Sequence, residues 1–147
     1  MANRTFTLAE ALDLLPTIKG IVRKAIEAKQ RMEEIDAQFQ KVNQRILMHG
    51  GLLLDIEPLA RLRAERDKLT QSVADTMAEI TAMGVQVKDI SIGLLDFPCL
   101  VEGKIVLLCW RQGEETINYW HGVDEGFVGR KLIDSRIANS RGRKKTQ

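Results

Sequence analysis

Cysteine is scarce: Cys99 and Cys109 are the only two, and they do not form a CxxC pair. That argues against a disulfide framework and against a structural zinc site of the finger type, and a reducing, cytoplasmic location is expected. Long apolar runs are missing too. No stretch approaches the roughly 20 residues that a membrane-spanning helix requires, and Met1 to Thr7 leads into a polar helical pattern with no apolar segment of signal-peptide length. The chain also lacks a phosphate-binding glycine loop, a GxSxG elbow and the Glu-x-x-His pairs of di-iron bundles, so those enzyme classes lose most of their weight.

What is present is an ordinary globular composition, 44% hydrophobic and 29% charged, too apolar for a disordered chain and, at 147 residues, sized for one domain. The formal net charge of +2 hides an asymmetry. Arg136, Arg141, Arg143, Lys144 and Lys145 follow Ser135 with no acid among them, which leaves the first 135 residues at −3. Residues 135–147 therefore read as a basic, disordered tail, which either only keeps the protein in solution or touches nucleic acid or an acidic partner.

Phe6-Thr7-Leu8-Ala9-Glu10 has the pattern of a capping box, in which the Thr7 hydroxyl accepts from the Glu10 N–H and the Glu10 carboxylate reaches back to the Thr7 N–H. A short N-terminal helix is expected from Leu8, broken or kinked at Pro16. From Ile18 the apolar positions run Ile21, Ala25, Ala28, Met32, Ile35, Phe39, Val42 and Ile46, alternating steps of three and four over four heptads. So narrow a seam needs a partner helix. His49-Gly50-Gly51 ends this helix, Asp55 and Pro58 suit the start of the next, and Leu59, Leu62, Leu69, Val73, Ile80 and Met83 continue the spacing to Gly84. Arg66 and Thr76 fall at seam positions of the second helix.

After Gly84 the period becomes two. A two-residue turn at Glu102-Gly103 pairs Leu100 with Ile105, Pro98 with Leu107 and Asp96 with Cys109; a turn centred on Gly113 pairs Cys109 with Ile117, Leu107 with Tyr119 and Ile105 with His121. One sheet face then carries Asp96, Pro98, Leu100, Ile105, Leu107, Cys109, Ile117, Tyr119 and His121, and the other Leu95, Phe97, Cys99, Val101, Val106, Leu108, Trp110 and Trp120. Both are apolar, so the face turned away from the helices needs a cover: the N-terminal helix, the segment after His121, or a second subunit. The expected architecture is α+β, a single domain over residues 1–134. It has a short N-terminal helix, a long coiled-coil-like antiparallel hairpin over about 16–83, and a small antiparallel β-sheet over about 85–130.

Leu95-Asp96-Phe97-Pro98, Leu108-Cys109-Trp110-Arg111, Tyr119-Trp120-His121 and Asp124-Glu125-Gly126-Phe127-Val128-Gly129-Arg130 resemble the bacterial family catalogued as domain of unknown function 2203. The opening Phe-Thr-Leu-x-Glu-Ala, the Leu-Leu-Pro step and the Gly-Val-x-Val-Lys-Asp link are similar as well, so the likeness covers residues 6 to about 133. It supports the architecture and brings no activity, cofactor or assigned site residue with it.

The chemistry-bearing residues crowd between Tyr119 and Arg130. His121, Asp124 and Glu125 can supply nitrogen and oxygen to a divalent metal or form a His–carboxylate proton-transfer pair, and Arg130 can take a carboxylate or phosphate. Tyr119, Trp120, His121, Arg130 and Trp110 are the candidate small-ligand contacts, with the two tryptophans walling a pocket. The plain alternative has Asp124 capping a turn, Gly126 supplying a positive φ, Phe127 packing on the sheet and Arg130 paired with a carboxylate of the body. Asp96, four residues from His121 in the proposed register, lies roughly 13 Å away at 3.3 Å per residue, too far to share a metal. It is expected to be buried and bonded to backbone N–H groups, and Cys109 to be buried as a small apolar residue. Two functions stay open: a homodimeric binding or assembly protein, joined through the hairpin and offering its Tyr-Trp-His edge to a protein partner, or a metal- or small-ligand-binding protein, including an enzyme.

Overall fold

The computed structural model describes residues 4–49 and 56–138. Helix α1 (Leu8–His49) opens on the expected box, with Thr7 N–H donating to Glu10 Oε1 at 2.9 Å and Glu10 N–H to Thr7 Oγ1 at 3.1 Å. It then runs 42 residues without interruption, Pro16 included. The separate N-terminal helix is thus corrected to the first turns of α1. Proline removes only the donor that would reach Leu12, and Pro16 faces outward, so water can serve that carbonyl. A break would also split the continuous stripe of Ala11, Leu15, Ile18, Val22 and Ala25, all buried. Pro16→Ala is expected to raise stability by ~1–3 kcal/mol in urea unfolding, as an interior helix position should; a neutral or destabilising result would mean that the turn at Pro16 is not regular helix.

Helix α2 (Ile56–Ala82) returns along α1. Ala28 and Ile35 of α1 and Val73 and Ile80 of α2 are buried, while Met32 and Leu69 are half-buried. Two forked ion pairs clip the helices together: Arg31 to Glu65 at 2.6 and 2.9 Å, and Arg66 to Asp36 at 2.6 and 3.1 Å. The connection, with Gly50, Gly51 and Asp55, lies outside the described residues. No helix among those described is long and apolar enough to cross a membrane.

Five strands follow, all antiparallel and in chain order: β1 (Gln86–Asp89), β2 (Leu94–Val101), β3 (Lys104–Arg111), β4 (Tyr119–Gly122) and β5 (Lys131–Leu132). Glu102 and Gly103 have φ of 52° and 81°, the two positive values that a tight hairpin turn of the right twist requires. The β2–β3 register is the expected one, Asp96 opposite Cys109. That of β3–β4 is not: Cys109 stands opposite Tyr119 and Leu107 opposite His121, two residues beyond the expected pairing. The cause is the β3–β4 connection. Ile117, read as a strand residue, is instead buried in the core shared with the helices, and its neighbours are held there as well: Lys19 Nζ donates to Glu115 O at 2.8 Å and Trp110 Nε1 to Glu114 O at 3.0 Å.

Leu95, Phe97, Cys99, Val101, Leu108 and Trp110 form the sheet's contribution to that core, with Phe6 edge-on to Phe97 at 5.5 Å. Ser135–Ala138 form a short helix, α3, whose Ile137 is fully buried in the same core. The assignment of residues 135–147 to a disordered tail is therefore corrected at its start, because Ile137 gives the chain an apolar anchor beyond Ser135. Arg141, Arg143, Lys144 and Lys145, the suggested nucleic-acid contact, lie outside the described residues.

Candidate metal centre

The segment after His121 covers the part of the sheet's other face that carries Tyr119 and Cys109, while Ile105 on the same face stays 41% exposed. There a 3-10 turn at Phe127–Gly129 and the side chain of Arg130 lie back over β4. The Arg130 guanidinium is 4.0 Å from the Tyr119 ring and 4.5 Å from the Phe127 ring, donates through Nη2 to both Glu114 oxygens at 2.8 Å, and reaches Cys109 O at 3.3 Å. Of the two roles considered for Arg130, pairing with a carboxylate of the body is the one seen.

Beneath that cover, three adjacent strands each contribute one polar side chain to the same face: Asp96 from β2, Cys109 from β3 and His121 from β4. They are 1%, 1% and 3% exposed, and one ligand atom of each lies within 4.8 Å of the other two. His121 Nε2 is 3.1 Å from Asp96 Oδ1. The separation of roughly 13 Å expected from the sequence is thus overturned, because the two-residue shift at β4 moves His121 about 6.6 Å along the strand towards Asp96. Asp96 is buried as expected, but its partner is the His121 ring and not a row of backbone N–H groups.

The hydrogen bonds constrain the histidine. Nδ1 is 2.9 Å from Gly122 O, a carbonyl that can only accept, so Nδ1 carries a proton. A neutral ring would then turn the lone pair of Nε2 toward the oxygen of a carboxylate. That contact is satisfied by a proton between the two atoms or by a cation held by both. Asp96 Oδ2, also buried, has no hydrogen-bond partner among the described residues. Cys109 completes the group. Burial pushes its thiol up to about 12, the Asp96 charge beside it adds to the rise, and Arg130 opposes it.

These donors suit a metal. Imidazole, carboxylate and thiolate together match zinc and similar divalent ions rather than magnesium or calcium, which prefer oxygen throughout. In a tetrahedral site with bonds of about 2.0–2.3 Å the donors stand about 3.3–3.8 Å apart, so side-chain shifts of an ångström or less bring this set into range. Two negative ligands would balance the ion's charge, and an Nδ1–H bonded to a backbone carbonyl is the usual outer support of a metal-bound histidine.

The other candidates do not converge here. Trp110 is fully buried on the helix-facing side of the sheet. Trp120, on that same side, is half-buried with Lys131 Nζ 4.7 Å from its ring, and it lines an open groove with Val106, Val123 and Arg136. Asp124 is exposed on the rim of that groove and shares no site with His121. Glu125 is engaged elsewhere: its Oε1 accepts from Lys131 Nζ at 2.5 Å and from Gly122 N–H at 2.7 Å, and these partners hold its carboxyl below the usual range. Gly126 has φ of −109°, so no positive φ is required there. Asp96 and Cys109, not Asp124 and Glu125, stand with His121. The signal that finds them is three residues of metal-ligating type on one apolar sheet face, a pattern that the two-residue shift leaves intact.

A family model described as an uncharacterized conserved protein (DUF2203) matches residues 4–133. No curated protein and no solved structure matches the chain.

Proposed function

Because the chain belongs to the family DUF2203, whose description assigns no activity, its function has to come from its own residues, and we propose that it binds one divalent metal ion of the zinc type through Asp96, Cys109 and His121. The observation that carries this is the buried Asp96 carboxylate, with one oxygen facing Nε2 of His121 and the other without a hydrogen-bond partner among the described residues. A cation in that position answers both at once. Three protein donors leave one coordination position for a water or an added ligand, the arrangement of zinc sites that do chemistry. The reduced thiol that the centre needs fits the cytoplasm.

Zinc at a hundred times its Kd is expected to stabilise the fold by about 2.7 kcal/mol, which raises Tm by about 10 °C in a chain of this size. His121→Ala and Cys109→Ala should abolish the shift. If zinc, cobalt and nickel all leave the wild-type Tm unchanged, the reading fails.

A second reading, association of two copies through the hairpin, is favoured by its outer half. Phe39, Val42, Ile46, Leu59 and Leu62 are only partly covered there, and Leu47 and Met48 are 82% and 79% exposed. Four helices would bury what two leave in water. Sedimentation equilibrium should return twice the chain mass at micromolar concentration, with the Leu47→Lys, Met48→Lys double variant shifted to monomer. A wild-type monomer removes this reading.

A further inference from the structure

The segment over the metal centre is folded around one side chain that the donor set does not use. Glu125 N–H donates to Gly122 O at 3.0 Å, and Glu125 Oε1 accepts from Gly122 N–H at 2.7 Å, so both polar groups of Gly122 are tied to the same residue. Lys131 holds that carboxylate from the other side at 2.5 Å. The Gly122 carbonyl thus fixed is the one to which His121 Nδ1 donates at 2.9 Å, and the far nitrogen of the same ring faces Asp96 at 3.1 Å.

The surrounding glycines fit this arrangement. A Cβ at position 129 would stand 2.9 Å from Glu125 Cβ, and one at position 122 would stand 3.3 Å from Glu125 Oε1. Gly129 thus lets the backbone close on the Glu125 side chain where any larger residue would force the turn apart, and at Gly122 a larger one would need the carboxylate to give. The glycines in Tyr-Trp-His-Gly and Phe-Val-Gly-Arg therefore act as packing partners of one carboxylate.

We propose that Glu125 is the positioning residue of the metal centre: acting through Gly122, it holds the His121 ring with Nδ1 protonated and Nε2 presented as the donor. The proposal rests on the metal-binding reading, but its first consequence, the fixed and hydrogen-bonded Nδ1–H, is measurable without metal. An outer partner that orients a metal-bound histidine is worth about 10–100-fold in affinity, and Glu125, which acts through that partner, is expected to be worth the lower end of this range. Glutamine at position 125 keeps an oxygen for the Gly122 N–H and loses only the charge.

The test uses the full chain and its Glu125→Ala and Glu125→Gln variants, with zinc titration against a chromophoric chelator and 15N NMR of the His121 ring without metal. Glu125→Ala is expected to lose about tenfold in zinc affinity at unchanged stoichiometry and to lose the signature of a hydrogen-bonded Nδ1–H, while Glu125→Gln retains both. Should the alanine variant not fold, Glu125→Asp, one methylene too short to reach Gly122, takes its place in the comparison. Wild-type affinity together with a wild-type ring signal in the alanine variant overturns the proposal. So does a glutamine variant as weak as alanine, which would show that charge and not position matters. A wild type that binds no zinc, but whose ring signal still depends on Glu125, defeats the metal reading and leaves the positioning role standing.

Discussion

Zinc affinity is expected to rise about tenfold per pH unit from about pH 6 to 8. A metal binds thiolate, and the Cys109 thiol, pushed up to about 12 chiefly by burial and then by the Asp96 charge, keeps its proton across that whole range. Binding must therefore expel it. Raising the pH lowers the cost of expulsion and strengthens binding, which is the sign that a thiol with an elevated pKa requires. Calorimetry in buffers of different ionisation enthalpy counts the protons released, about one per zinc from the thiol. Cys109→Ser should weaken binding by at least about a hundredfold and remove one proton from the count. An affinity that does not change with pH would mean that the thiol takes no part.

Trp110→Ala is expected to cost about 3–5 kcal/mol in urea unfolding, the usual range for a fully buried large aromatic. Trp110 is completely enclosed on the helix-facing side of the sheet, and its Nε1 donates to the Glu114 carbonyl at 3.0 Å. Glu114 is also the residue whose carboxylate holds Arg130 over Cys109. The substitution therefore removes packing on one face and loosens the cover on the other, so zinc affinity should fall along with stability. A loss below about 1 kcal/mol would show that the β3–β4 connection carries little of the fold, contrary to its burial of Ile117.

Features set by neighbouring residues were legible in the sequence. The Thr7–Glu10 box and the Glu102-Gly103 turn each depend on a few adjacent side chains and backbone angles, and both occur as read. The three-four stripe likewise produced two packed helices. Features that depend on competition between distant parts were not legible. Pro16 stays within α1 because the buried stripe on either side of it outweighs one lost hydrogen bond. Strand β5 and α3 were missed because each is only a few residues long and is held by contacts, such as Ile137 in the core, rather than by pattern.

The site shows the same division. Alternation alone put Asp96, Cys109 and His121 on one face, since a shift of two residues preserves parity. It could not place them along the strand, because the length of the β3–β4 connection depends on whether Ile117 joins the strand or the core. That single choice separates an apparent gap of roughly 13 Å from a contact of 3.1 Å.

Cobalt(II) titration of the full chain tests the centre most directly. The geometry predicts one equivalent bound, with the strong visible absorption of four-coordinate cobalt and a thiolate-to-metal charge-transfer band that Cys109→Ser removes. A wild-type spectrum no different from that of cobalt in water would contradict it.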